Sequence, residues 1–387
     1  MSRSRKKSTT CLTAFLVAVG HGCVIPLSTP NAAADASIDA GSMLTDDGDT
    51  SEVVVASNGW TNVTSNLAGM SSGCGNMQSV FVKPDEDLLI AGVAGRGLWG
   101  SRDGGGSWQS MSSDAVAGNI TNRPSSLVFD PQNPARFWES GIYDGPGVFV
   151  TMDDGNTFAS LGNVTHCDLV SVDFSDPNRQ TLVAGGHEAS KTLSRSVDGG
   201  MTWTDIYTGL PPDSNCTFPL VLSAQSHLVG CGGYGGGPTG IYQTVDGGGT
   251  WNQISASGGA EAPLLASDGS IYWANPSSRG LTRSTDNGQH WSDVGVAANV
   301  ISSVHPIELP DGRLATLGAQ RTVVVSADHG ASWKSVSTVL PYTDAVGLVY
   351  SKPRKAFYIW HFTCELSGPG PVPADAIMSF AFDYERG

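Results

Sequence analysis

Positive charge is scarce in this chain of 387 residues: 21 Lys and Arg face 36 Asp and Glu, a formal net charge of −15 at neutral pH. Non-specific nucleic-acid binding depends on cationic surface, and no basic patch with interleaved aromatics is present, so that partner class is excluded. Cysteine is also sparse, with seven residues and no Cys-x-x-Cys pair, which argues against a structural zinc site. The apolar stretch near the start, Cys11 to Gly20, is too short to hold a stable bilayer span. A Ser-nucleophile elbow, a His-Glu-x-x-His helix and a calcium-binding hand loop are all missing. The glycine run Gly232 to Gly237 lacks the helix pattern and the Lys-Ser/Thr ending of a phosphate loop. No metal and no cofactor is expected.

The N-terminus reads as an export signal. Arg3, Arg5, Lys6 and Lys7 precede the short apolar stretch, and residues 1–23 form the expected signal peptide. Cys23 follows Gly20-His21-Gly22, which loosely resembles a lipoprotein cleavage site; ordinary cleavage near Asn31 to Ala34 is the alternative. Lipidated Cys23 is the one expected route to membrane attachment, so the protein is placed as secreted or lipid-anchored in the cell envelope. Residues 24–52 are small and acidic and read as a disordered linker. Removing the first 22 residues takes four basic side chains and no acidic ones, so 17 basic residues then face 36 acidic ones and the charge becomes −19.

Six copies of one motif follow, beginning at Ser101, Thr151, Ser196, Thr244, Ser284 and Ser326, at intervals of 50, 45, 48, 40 and 42 residues. The pattern is Ser/Thr-x-Asp-x-Gly-x-Ser/Thr-aromatic, with His290 the exception at the seventh place. A period of this size means a repeat architecture. Its chemistry is that of a tight turn: Asp accepts backbone amides, Gly supplies positive φ, and the aromatic anchors a hairpin. Strand-like runs flank each copy. A second turn recurs upstream seven times, as in Lys83-Pro84-Asp85, Asp130-Pro131-Gln132 and Lys352-Pro353-Arg354. Four strands and two turns per unit predict an all-β fold, a single seven-bladed β-propeller of four-stranded antiparallel blades over residues 53–387. Residues near Val53 to Val63 are expected to close the last blade, which removes the open edges. Six blades with an irregular tail is the alternative.

An exported chain permits disulfides. Cys216 and Cys231 flank a hairpin centred on Ala224 and are expected to face each other. Cys74 and Cys364 lie on neighbouring repeats if the ring closes, leaving Cys167 over.

The motif resembles the Asp-box, or BNR repeat, of sialidases, other glycan-active enzymes and non-enzymatic propellers. The resemblance covers residues 55–387 and implies structural roles, remote from any active site, for Asp103, Asp153, Asp198, Asp246, Asp286 and Asp328. The sialidase chemistry does not carry over. The Arg-Ile-Pro segment is absent, and Tyr342, Tyr350, Tyr358 and Tyr384 sit in no recognisable nucleophile motif with a Glu partner. Xyloglucan-cleaving members of that superfamily are usually two propellers long, and this chain has room for one.

Fold membership does not supply chemistry. The loops expected at one mouth of the channel carry Arg96, Tyr143-Asp144, His187-Glu188, Tyr234, Asn275 with Arg279, Gln320-Arg321, and His361 with Glu365. Loops between blades add Asn119 with Arg123, His166 with Asp168, and Tyr342 with Asp344. His187 and His361 are the acid/base candidates, with Glu188 or Asp144 to orient a histidine. Arg96, Arg123 and Arg321 are candidates to hold a carboxylate by a bidentate fork. Tyr143, His166, Tyr234 and Arg279 complete the substrate-binding set. The expected function is recognition, with or without cleavage, of an extracellular glycan at the mouth, by a hydrolase or a lyase. The alternative is a non-catalytic cell-surface propeller that binds a protein or a glycan. A monomer is expected.

Overall fold

A computed structural model of the chain describes residues 59–70, 77–111, 120–188, 192–232, 237–275, 280–295, 304–341, 347–361 and 377–386. The described strands form seven four-stranded antiparallel sheets, the blades of a β-propeller, and the six-blade alternative falls away. Blade 2 comprises Arg123–Phe129, Phe137–Ile142, Val148–Thr151 and Ala159–Ser160, and blade 3 comprises Cys167–Val172, Leu182–Gly186, Leu193–Ser196 and Thr204–Asp205. Blades 1, 4, 5 and 6 repeat this order from Met77, Cys216, Ala260 and Ile307. Blade 7 takes Gly347–Ser351, Ala356–Trp360 and Ile377–Ala381 from the C-terminal end and Trp60–Asn62 from the N-terminal end. The closing register pairs Trp60 with Phe380, Thr61 with Ser379 and Asn62 with Met378. Residues 53–58 lie outside the described residues.

First strands of adjacent blades touch one another, as in blades 3 and 4 or blades 1 and 7, so these strands line the inside of the ring. Close approach of the next blade explains two glycines. A Cβ on Gly185 would lie 2.0 Å from the Thr217 carbonyl oxygen, and one on Gly230 would lie 2.3 Å from that of Gly259.

All six motif copies join third to fourth strands, and the upstream turns join first to second strands. In the copy at Ser196, Asp198 Oδ1 accepts the Ser196 hydroxyl at 2.8 Å and the Thr202 amide at 2.9 Å, while Oδ2 accepts the Thr202 hydroxyl. The Thr202 hydroxyl and amide and the Ser196 hydroxyl hold this carboxyl at about 2. His290 substitutes a ring nitrogen for the hydroxyl, with Nδ1 2.6 Å from Asp286 Oδ2. The residue after each motif Asp has φ between 56° and 79°, which explains Gly104, Gly199 and Gly247 there and strains Asp154, Asn287 and His329. The motif tryptophans tie blades together: Trp108, Trp203 and Trp251 donate to the carbonyls of Val63, Leu161 and Ile206 in the preceding blades.

Cys216 and Cys231 stand opposite each other in blade 4 and form a disulfide. Cys167 is a buried free thiol, and Cys74 and Cys364 fall outside the described residues.

Candidate functional site

Alternation along a four-stranded blade sends the second-to-third turns and the blade-connecting segments to one face, opposite the repeated motif. On that face, blades 2 and 3 bring seven of the expected residues together. Arg123 begins the first strand of blade 2, and Tyr143-Asp144 follows its second strand. His166 precedes the first strand of blade 3, whose second residue is Asp168, and His187-Glu188 follows its second strand. Tyr143-Asp144 and His187-Glu188 thus occupy equivalent positions on neighbouring blades, which is why they meet.

The contacts form one chain. Asp168 Oδ1 lies 2.8 Å from His187 Nδ1, His187 Nε2 lies 3.0 Å from Tyr143 Oη, and Tyr143 Oη donates to Glu188 Oε2 at 3.0 Å. The His166 and His187 rings pack edge-on against Tyr143, with centroids 5.3 and 5.1 Å away. Arg123 lies over the Tyr143 ring at 4.7 Å from its centroid, with a terminal nitrogen 3.8 Å from Asp144 Oδ2. Tyr143, Asp144, His166 and Glu188 all hold positive φ, between 43° and 55°. None is glycine, and concentrated backbone strain of this kind persists only where the surrounding structure enforces it.

Burial opposes protonation of His187, but its bond to Asp168 and the charges of Asp168 and Glu188 outweigh that, so its pKa is raised above the ordinary 6.5. Burial also pushes the Tyr143 phenol up to about 12, aided by its bond to Glu188. The state of His187 decides the direction of the chain. With a neutral ring, Nδ1–H donates to Asp168 and Nε2 accepts from Tyr143. With a protonated ring, Nε2–H donates to Tyr143, whose hydroxyl then donates to Glu188. The two states differ by one proton and by which neighbour the Tyr143 hydroxyl serves.

A Tyr with a Glu partner, which was not found among the late tyrosines, is present as Tyr143 and Glu188. Glu188 contacts Tyr143 directly, and Asp168 is the nearer partner of the histidine. Asp168 stood among the mouth residues without a role, because its distance from His187 depends on how blade 3 twists. Glu261, in the first strand of blade 5 with φ 58°, was missed altogether. It is half-buried, burial pushes its carboxyl up to about 8, and the charge of Asp168 adds to the effect. The neighbouring Gly258-Gly259 pair was the only sequence signal near it.

The remaining candidates are dispersed. Arg96 lines a cavity of about 230 Å³ between blades 1 and 2, together with Ser110, Ile120, Thr121 and Phe158. The Thr121 hydroxyl links that wall to the Asp144 carbonyl at 2.9 Å. Arg321 donates to the Leu340 carbonyl at 3.0 Å within blade 6. Asn275 is buried and donates to Asp293 at 2.9 Å. His361 is buried at the end of the second strand of blade 7, and blade 1 separates it from the cluster. Asn119, Tyr234, Arg279, Tyr342, Asp344 and Glu365 lie outside the described residues. Among the described residues, no group of three or more metal-ligating side chains comes together.

No protein-family model matches the chain. A xyloglucanase from a Paenibacillus species is 26% identical over 203 residues, which is 50% of this chain and 16% of that protein. A YCF48 structure bound to a D1 peptide aligns with a TM-score of 0.52 at 12% identity, over 84% of this chain and 98% of that one. The extracellular domain of a hybrid two-component system from B. thetaiotaomicron gives 0.56 at 11% identity, over 84% and 40%. The structural likenesses establish the fold. The xyloglucanase match spans less than a fifth of that enzyme's length, so its activity does not transfer by length alone.

Proposed function

We propose that this chain is an exported, glycan-cleaving propeller whose active site is the cluster between blades 2 and 3. The carrying observation is the Asp168–His187–Tyr143–Glu188 chain, a hydroxyl backed by a histidine that a carboxylate orients. The likeness to a xyloglucanase and the sequence resemblance to Asp-box propellers support a saccharide as the substrate. The basic and apolar start of the chain, with extracellular propellers among the structural neighbours, supports export. In this reading Tyr143 is the catalytic residue that exchanges a proton with the substrate. His187 stores that proton, and Asp168 positions the ring.

Incubation with a panel of neutral and acidic polysaccharides, with reducing ends measured, tests the proposal. Tyr143→Phe is expected to lower kcat about 10²- to 10⁴-fold with the melting curve unchanged. Turnover rises with pH through a midpoint above 6.5, because His187 must lose its proton to accept one. Asp168→Asn lowers that midpoint by removing the main force that raises it. No cleavage of any polymer leaves the chain a binding module, and full activity in Tyr143→Phe removes Tyr143 as the catalytic residue.

A further inference from the structure

Resting on that reading, we propose that the substrate is an acidic glycan, gripped through a uronate carboxylate by Arg123 and cleaved by β-elimination at Tyr143 rather than by water. Arg123 has donors to spare. Among the described residues its Nε is buried with no hydrogen-bond partner, and its ion pair with Asp144 is long at 3.8 Å. The guanidinium also sits against the Tyr143 ring, so a carboxylate bound there brings its α-carbon close to the Tyr143 hydroxyl. A cation on the carboxylate favours removal of the carbon-bound proton, because the developing negative charge spreads onto that group. Two other cations are committed to the opposite face, where Lys83 pairs with Asp154 at 3.1 Å and Arg179 with Asp130 at 2.9 Å.

The step closes without water, oxidant or metal. Tyr143 Oη takes the proton from the carbon next to the carboxylate while its own proton passes to His187 Nε2. The C–H electron pair becomes a C=C bond, and the bond from the adjacent carbon to the glycosidic oxygen breaks. The departing oxygen takes the proton from Tyr143, which regains one from His187. Protein groups end as they began, and one proton has moved from carbon to oxygen on the same side of the sugar. Hydrolysis instead needs carboxyl groups flanking the bond with space between them. Here Asp168 and Glu188 belong to one hydrogen-bonded chain, and each is tied to a neighbour. The net charge of −15 repels a polyanion at long range, so turnover on such a polymer rises as salt is added from low ionic strength.

The test uses the full chain with mannuronate-rich alginate and hyaluronan, whose acidic sugars carry that hydrogen and that oxygen on one side of the ring, the same polymers after carboxyl reduction, and neutral xyloglucan. Unsaturated ends are read by ultraviolet absorbance and reducing ends by a colour assay in the same sample. The expected result is equal numbers of both ends from an acidic polymer and none from its carboxyl-reduced form. Arg123→Gln is expected to lower that turnover about 10²-fold, with Arg123→Lys partly restoring it. The carboxyl-reduced polymer asks the same question of the unaltered protein should a variant fold poorly. Reducing ends without unsaturated ends overturn elimination and leave glycan cleavage standing; no cleavage of any polymer overturns both. Equal turnover before and after carboxyl reduction overturns the grip by Arg123.

Discussion

Glu139 shows how one buried side chain makes the stability of this protein depend on pH. It sits in the second strand of blade 2 with no exposed surface, and Asn122 Nδ2 donates to it at 3.3 Å. Burial pushes its carboxyl from an ordinary 4.5 to about 8, and the bond from Asn122 opposes this only in part. The folded value lies above the unfolded one, so stability is fully present below 4.5 and is lost as pH rises toward about 8. Each pH unit of that interval costs about 1.4 kcal/mol. Glu139→Gln keeps the neutral shape, so the variant is expected to match the wild type near pH 4 and to melt at increasingly higher temperature than it as pH rises from about 5 to 8. Parallel melting curves across that range would remove this assignment. The site was partly legible at the same scale. Tyr143-Asp144 and His187-Glu188 stood out as ionisable pairs at equivalent loops, but their contact depends on blade stacking and on positive φ at residues where glycine is the usual signal.

The hairpin that carries the repeated motif is a self-contained device. Its Asp satisfies the turn, its two positive-φ positions set the reversal, and its aromatic reaches back one blade. Trp251 is the clearest case, buried and donating to the Ile206 carbonyl at 2.8 Å. Trp251→Phe keeps an aromatic ring and leaves that carbonyl without its donor, at an expected cost of about 1–3 kcal/mol in denaturant unfolding. An unchanged midpoint would mean that packing alone joins blades 3 and 4. These hairpins were legible in sequence because every interaction in the turn spans four residues or fewer. The His290 exception was legible as a departure, but its substitute bond to Asp286 was not, since it needs a rotamer.

Closure is a property of the whole ring. Blade 7 has no third-to-fourth turn, because the two strands that meet there come from opposite ends of the chain. Trp60 is fully buried, its ring centroid 5.1 Å from that of Phe380, and it packs in the core shared by blades 6 and 7. Trp60→Ala is expected to cost about 3–5 kcal/mol and to lower the cooperative melting temperature of the ring as a unit. A small, local loss confined to hydrogen exchange in blade 7 would contradict that picture. The repeat by itself determined the blade and pointed to seven of them closed by an N-terminal strand, because turn chemistry and strand alternation are local and recur at a readable interval, while the seventh sheet itself settled the six-blade alternative. Only the tertiary structure decided which polar loops share a site. A Tyr on one blade and a His on the next are 44 residues apart in the chain, and nothing short of the stacking and twist of the two sheets brings their side chains within 3.0 Å.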